Sequence, residues 1–302
     1  MASRDPQEEP LSTARPTAHE RFGPGSTALV TGAGAGLGEG MARHLAAGGA
    51  HVVVTDVDEA RAGDVAEACR TAGGSAEAHP LDVRDAGAVA GLFADVWARH
   101  GAVDLVVSNA GIEAGDRVQD LAPERWAQVL EINLNGAFHC AHAAIPLMSE
   151  QGRPGALGIV SSTGGVSTLP YQAAYIASKH AALALAECLH VELQATGAPV
   201  QVSALMPNWV RSRIFDDVRA GHEPTDPAAR AFFAQMAEDN KARGLDPATA
   251  ARLLLDGLAA GDFWVFTDPE RTAQLFRDRA DKLLELRTPA VAAAPAAPAA
   301  LA

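Results

Sequence analysis

Residues 27–56 read TALVTGAGAGLGEGMARHLAAGGAHVVVTD. Two runs rich in β-branched residues, TALVT (27–31) and HVVVTD (51–56), flank a segment at about 36–48 whose apolar residues recur at helical spacing. Runs of that length suit buried strands, and the segment between them suits a crossover helix. The glycines Gly32, Gly36 and Gly38 fall in the turn between the first strand and the helix, as TGxxxGxG. Small residues there let the backbone approach a pyrophosphate, and the helix start behind them offers unpaired N–H groups and the positive end of a dipole. Asp56 closes the second strand. A carboxylate at that place can hydrogen-bond a ribose 2′-hydroxyl and repels a 2′-phosphate. The other reading of Asp56 is as the cap of the following helix, DEARAGDVAEACR.

The alternation continues along the chain. Further strands are expected at SAEAHPL (75–81), VDLVVS (103–108), GALGIV (155–160), PVQVSAL (199–205) and FWVFT (263–267). Helices are expected near 58–72, 85–100, 123–151, 172–197 and 246–260. Regular β-α alternation at this spacing gives an α/β fold: a single doubly wound parallel sheet of the Rossmann type, about seven strands, with helices on both faces. Residues 1–24 are polar and rich in Pro and Glu, and are read as a disordered arm; the Ala/Pro stretch 288–302 is read as a disordered tail. Residues 25–287 form one domain.

The 302 residues are 48% hydrophobic and 20% charged, a globular composition. A net charge of −13 without any Lys/Arg run argues against nucleic acid as a partner. No apolar run is long enough to span a bilayer, and the N-terminal stretch lacks the apolar core of a secretory signal, so a soluble cytoplasmic protein is expected. Cys69, Cys140 and Cys188 lack metal-ligand spacing and read as small buried hydrophobes. His139, His142, His180 and His190 share no ligand pattern either, and no metal is expected.

Chemistry is concentrated in Ser162–Lys179, STGGVSTLPYQAAYIASK. Tyr175 and Lys179 stand four apart on a helix, so both face the same way. A phenol ordinarily titrates near 10; lowering it to about 7 takes roughly 4 kcal/mol of differential interaction, which an adjacent ammonium and a cationic cofactor ring can supply. Taken alone, the same spacing also suits a half-buried tyrosine over a solvated lysine.

The glycine turn, SNAG at 108–111, Asn133 in EINLNG, Ser162 and YIASK at 175–179 occur together and in order. In this the chain resembles the short-chain dehydrogenase/reductase family over about residues 25–268. The resemblance implies that Gly32, Gly36, Leu37 and Gly38 cradle a dinucleotide, with Asp56 at its ribose and Asp82 and Val83 at its adenine. It gives Asn109, Ala110 and Gly111 to the family's NNAG segment, with Ser108 in place of the first Asn. It makes Asn133, Ser162, Tyr175 and Lys179 a catalytic tetrad; the thirteen-residue interval to Tyr175 selects Ser162 over Ser161. Pro207, Val210 and Ser212 match its nicotinamide-contacting PGxVxT segment, with Asn208 replacing Gly and Ser212 replacing Thr. Asn tolerates positive φ, so that turn is expected to survive.

Val57 follows Asp56, and Ala33, Gly34, Ala35 and Leu37 stand between the glycines, so no arginine or lysine is seen placed to neutralise a 2′-phosphate and NAD is favoured over NADP. Tyr171, Trp209 and Phe215 are candidates for the substrate pocket, which suggests a bulky, largely apolar secondary alcohol or ketone. The segment 212–244 is a candidate lid carrying Phe215, Phe232, Phe233 and Met236, though these aromatics could equally pack it onto the core. Glu113 reads either as a polar contact or as an exposed loop acid. By the resemblance, helices 123–151 and 172–197 are expected to pair the chain into a homo-oligomer, a dimer or tetramer. The alternatives to an NAD-dependent secondary-alcohol dehydrogenase are an NADPH-dependent ketoreductase of a biosynthetic pathway and a non-catalytic NAD-binding scaffold. A lyase on the same fold, such as a halohydrin dehalogenase, is disfavoured by the intact glycine turn and Asp56.

Overall fold

The computed structural model describes residues 15–215 and 223–289. A single helical turn, α1 (Ala18–Arg21), leads into β1 (Thr27–Val30), α2 (Gly36–Ala47), β2 (His51–Asp56), α3 (Glu59–Thr71) and β3 (Ser75–Pro80). Next come α4 (Ala86–His100), β4 (Leu105–Ser108), α5 (Pro123–Leu130), a π-helical turn (Glu131–Asn135), α6 (Gly136–Glu150) and β5 (Gly155–Val160). A short turn (Thr163–Gly165), α7 (Ala173–Thr196), β6 (Val200–Met206), α8 (Pro227–Arg243), α9 (Pro247–Ala259), β7 (Trp264–Phe266) and α10 (Pro269–Leu284) complete it.

Among the described residues the seven strands form one sheet in the order β3-β2-β1-β4-β5-β6-β7, every pair parallel. The chain winds outward from β1 in one direction, then returns to β4 and winds in the other. That reversal opens a crevice beyond the carboxyl ends of β1 and β4, where such sheets bind ligands.

Both faces of the sheet are covered, which is why its strands are nearly continuous apolar runs. Successive side chains point to opposite faces: Ala28 and Val30 of β1 join Met41, Leu45, Leu254 and Leu258 on one side. Leu29 joins Phe93, Cys140, Met148 and Ala186 on the other. Aspartates cap five helices, Asp58 on α3, Asp85 on α4, Asp226 on α8, Asp246 on α9 and Asp268 on α10. The cap of α3 is therefore Asp58, and Asp56 is left at the crevice.

Three expectations need amending. Residues 15–24, counted with the arm, are packed: Ala18 and Phe22 are buried in the core, and the Ala18 amide donates to Asp256 at 2.9 Å. Thr17 and Glu20 form a capping box that starts α1. Residues 1–14, and 290–302 of the tail, lie outside the described residues. The helix expected at 123–151 is broken by the π turn, which contains Asn133. Cys69 and Cys140 are buried, but Cys188 is exposed on α7.

Candidate active site

A cleft of about 500 Å³ runs along the carboxyl ends of the central strands. At one end lies the glycine turn. The residue preceding α2, Ala35, has no side-chain oxygen, so the first-turn N–H groups of that helix stay available. Gly32 and Gly36 have φ of 60° and 58°. Asn109 stitches the turn to β4: its side-chain amide donates to the carbonyls of Thr31 (2.9 Å) and Gly32 (3.0 Å), and its backbone N–H donates to Thr31 Oγ1 (3.0 Å). A methyl group on Gly38 would sit 2.4 Å from the Gly32 carbonyl oxygen and 2.5 Å from Asn109 Nδ2. Gly38→Ala is accordingly expected to cost about 1–3 kcal/mol of stability by overpacking, read from urea unfolding. Wild-type stability in that variant would mean the turn is looser than described.

Asp56 is half-buried, with Oδ2 accepting from the Gly34 N–H (2.9 Å) and Oδ1 from the Asp58 N–H (3.0 Å). Two backbone donors fix the carboxylate at the mouth of the cleft. Leu37, Asp82, Val83, Ala110, Gly111, Pro207, Val210 and Ser212 also line the cleft. Asn208 does not adopt positive φ; its N–H donates instead to Thr267 Oγ1 at 2.9 Å, so the turn keeps its shape by that bond. The free N–H groups, the small residues and the fixed carboxylate match what a dinucleotide needs.

At the other end β5 delivers Ser162, and α7 delivers Tyr175 and Lys179. Ser162 Oγ accepts from the Gly164 N–H at 3.0 Å and hydrogen-bonds the Tyr175 hydroxyl. Ser161 is buried and donates to the Lys179 carbonyl at 2.8 Å, so it holds α7 and does not reach the cleft. Lys179 is 4% exposed; its Nζ donates to the Val160 carbonyl at 2.9 Å and lies 5.7 Å from the Tyr175 ring centroid. Asn133 sits behind the cleft wall. Its Oδ1 accepts from the Ile112 N–H (2.8 Å) and its Nδ2 donates to the Ile112 carbonyl (3.0 Å) and to Ser178 Oγ (3.0 Å). A methyl group on Gly111 would lie 3.3 Å from Asn133 Oδ1 and 3.5 Å from Lys179 Nζ, so the two side chains flank one small volume.

Burial raises the Tyr175 phenol above its ordinary value and the charge of Glu113 adds to this, while the Ser162 hydrogen bond opposes it. Burial lowers Lys179 to about 8, against the opposing pull of Glu113. Glu113 itself is pushed well above the usual carboxylate range by burial, offset in part by Gln172, the Ala114 amide, Lys179 and Arg125. A phenol hydrogen-bonded to a hydroxyl, with an amine on the next turn of the same helix, can accept and return a proton.

Beyond Ser162 the cleft is lined by Trp209, Phe215, Met236, Leu169, Gln172 and Glu113. Helix α8 is held beside it: Asp116 accepts from the Thr225 N–H (2.6 Å) and hydroxyl (2.8 Å), and Asn240 Nδ2 donates to the Val210 carbonyl (2.8 Å). Met236 reaches the cleft, whereas Phe233 is buried and Phe232 packs on Tyr171, with ring centroids 5.5 Å apart. Tyr171 is thus not a wall of the cleft. Its φ of 64° sets it against α8, and Gln172 takes the place it was expected to occupy. Residues 216–222 of the expected lid lie outside the described residues.

The family model for short chain dehydrogenases matches residues 26–223. The chain belongs to the short-chain dehydrogenase family. A 3β-hydroxysteroid dehydrogenase of Mediterraneibacter gnavus is 38% identical over 180 residues, 59% of this chain and 64% of that protein. The chain therefore spans slightly under two thirds of that relative's length. A D-β-hydroxybutyrate dehydrogenase of Rhizobium meliloti is 32% identical over 187 residues, 61% of this chain and 71% of the relative. Among solved structures, a short-chain dehydrogenase/reductase from Burkholderia phymatum in complex with NAD superposes with a TM-score of 0.86 at 27% identity, covering 91% of this chain and 99% of that one.

Several features of this short-chain dehydrogenase escape a reading of its sequence. Arg61 and Arg84 line the cleft near Asp56, contrary to the expectation of no basic residue there. Each is paired with its own acid, Arg61 Nε with Asp58 (3.0 Å) and Arg84 Nε with Asp82 (2.9 Å). Glu113, left open as a loop acid, is 2% exposed. The anchors Asp116 and Asn240 carried no motif, and only the Asp-Pro pair at 226–227 hinted at a helix start. Away from the cleft, His51, Glu77 and His100 bring ligand atoms within 4.8 Å of one another. The Glu77 carboxylate there is paired with Arg99 at 2.7 and 2.9 Å, which holds it down at about 2. Among the described residues no helix is long and apolar enough to cross a membrane.

Proposed function

We propose that this chain is an NAD-dependent dehydrogenase that interconverts a bulky, largely apolar secondary alcohol and its ketone, with Tyr175 as general acid and base. The observation that carries this reading is the convergence of Ser162, Tyr175 and Lys179 on one cleft whose far end holds the glycine turn and Asp56. NAD would be held by the turn at Gly32–Gly38, by Asp56 at the ribose, by Asp82 and Val83 at the adenine and by Asn109–Gly111. Pro207, Val210 and Ser212 would lie at the nicotinamide. When bound, it supplies the acceptor for the hydride that leaves the carbinol carbon.

In oxidation Tyr175, as phenolate, removes the hydroxyl proton of the substrate. In reduction the same phenol returns it. Ser162 donates a hydrogen bond to the substrate oxygen and steadies the charge that develops there. Lys179 as ammonium favours the phenolate, and Asn133 fixes the wall through which Lys179 exchanges its proton with solvent. Trp209, Phe215 and Met236 supply apolar surface, in keeping with the name of the hydroxysteroid dehydrogenase relative. The test is a panel of secondary alcohols and ketones with NAD(H), scored by nicotinamide absorbance. Oxidation of bulky secondary alcohols supports the reading; faster turnover with NADPH and ketones would favour the biosynthetic ketoreductase.

The pH dependence has a definite sign. Oxidation needs the phenolate, so kcat/KM for the alcohol is expected to rise with pH; ketone reduction needs the phenol and is expected to fall. Since the charge of Glu113 is one cause that raises Tyr175, Glu113→Gln is expected to move the oxidation profile to lower pH. A profile unmoved, or moved upward, contradicts the coupling.

We also propose that the chain is a homo-oligomer, with tetramer the expected mass in light scattering. Phe138 on α6 and Val191 on α7 remain 50% and 64% exposed, apolar surface of the kind a subunit contact covers. A monomer at micromolar concentration would refute this.

A further inference from the structure

Glu113 and Gln172 are each 2% exposed, yet both line the cleft together with Ser162 and Tyr175. The Gln172 side-chain amide donates to Glu113 Oε2 at 2.7 Å, and the Ala114 N–H donates to Oε1 at 3.1 Å. Arg125 is turned to the Glu113 backbone carbonyl (3.2 Å) and to Gln128 Oε1 (2.7 Å), which leaves the carboxyl to the cleft. Gln172 is the residue before α7 and Tyr175 lies in the first turn of that helix, and both line the cleft. Each carboxyl oxygen accepts one hydrogen bond and retains capacity for another.

We propose that Glu113 and Gln172 form a hydrogen-bonding subsite beside Tyr175 that takes a neutral donor on the substrate, a second hydroxyl next to the reacting one, and turns away a carboxylate at that position. The inference rests on the dehydrogenase reading above and narrows its substrate class. A buried carboxyl that already receives two N–H groups completes its shell with an O–H donor. A substrate carboxylate would have to give up its water beside a buried acid whose own ionised form burial already disfavours, and a second anionic group there costs more still.

Three substrates of one frame separate the possibilities: 1-phenylethanol, 1-phenylethane-1,2-diol and mandelate, each with NAD at a single pH. The wild type is expected to oxidise the diol about 100-fold better than mandelate in kcat/KM, and better than 1-phenylethanol. In Glu113→Gln, which keeps the shape and removes the acid, the diol-to-mandelate ratio is expected to fall about 10-fold or more. Gln172→Leu, which leaves the carboxyl in place, is the second variant and is expected to lose the advantage of the diol over 1-phenylethanol. Equal use of diol and mandelate by the wild type, or the same three ratios in all forms, overturns the subsite. Oxidation of 1-phenylethanol reports on the dehydrogenase reading separately. If none of the three turns over, calorimetric binding to the enzyme–NADH complex decides: diol bound more tightly than mandelate, with the difference lost in Glu113→Gln, supports the subsite. Equal binding, or no binding of the diol, overturns it.

Discussion

Tyr175→Phe is expected to lower kcat for secondary-alcohol oxidation by about 10²–10⁴-fold, the range that a positioned general base supplies. The variant loses one oxygen. Its half-buried ring keeps its neighbours Gly164 and Lys179. Ser162 Oγ keeps the Gly164 N–H at 3.0 Å, so its orientation does not depend on the phenol. The loss should therefore fall on kcat, with NAD affinity, measured by fluorescence titration, and the unfolding midpoint close to wild type. Equal turnover by variant and wild type would remove Tyr175 from the chemistry. Lost NAD binding would instead give the phenol a structural role.

The second large effect is at Asp56. Asp56→Ala is expected to reduce kcat/KM with NAD about 10–100-fold, the loss of a hydrogen bond to a charged group. The same change should raise kcat/KM with NADP, because the like charge opposing a 2′-phosphate is gone. Arg61 and Arg84 already line that end of the cleft, paired to Asp58 and Asp82. With Asp56 removed, one uncompensated carboxylate is gone, and what remains there are arginines each paired with an acid. The measurement is the ratio of kcat/KM values for the two cofactors in wild type and variant; a ratio unchanged by the substitution contradicts the assignment.

Much of the architecture was legible because the chain obeys local rules. The strands of a parallel sheet are buried on both faces, so VVV at 52–54 and LVV at 105–107 announce themselves as unbroken apolar runs. Five of the helices begin at aspartates, which compete for backbone N–H groups and so mark starts. The glycine turn and the residues of the cleft's chemistry fall at fixed places relative to those elements, so their meeting followed from the order of the sheet.

What was hidden depends on contacts distant in sequence. A glutamate after a loop reads as solvated, and only the approach of Gln172 from another segment reveals that Glu113 is buried. Arg61 stands in the first turn of α3, five residues beyond Asp56, and the bend from β2 into that helix brings both against Gly34, which a linear reading does not show. Tyr171 looked like a wall because it neighbours Tyr175 and is aromatic. Its left-handed backbone, unusual for a bulky residue, sets it against Phe232 instead. The short α1 lay in a polar stretch whose composition argued for disorder. Its order comes from Phe22 and Ala18 reaching a core built by residues elsewhere in the chain.

The most direct measurement follows the hydrogen itself. A bulky secondary alcohol carrying deuterium on the carbinol carbon is incubated with enzyme and NAD, and the products are read by NMR. Deuterium at C4 of the reduced nicotinamide, with the hydroxyl proton released to solvent and both absent from the Tyr175→Phe reaction, is the predicted result. Reduced nicotinamide free of deuterium, or label transferred equally well without the phenol, would contradict the account.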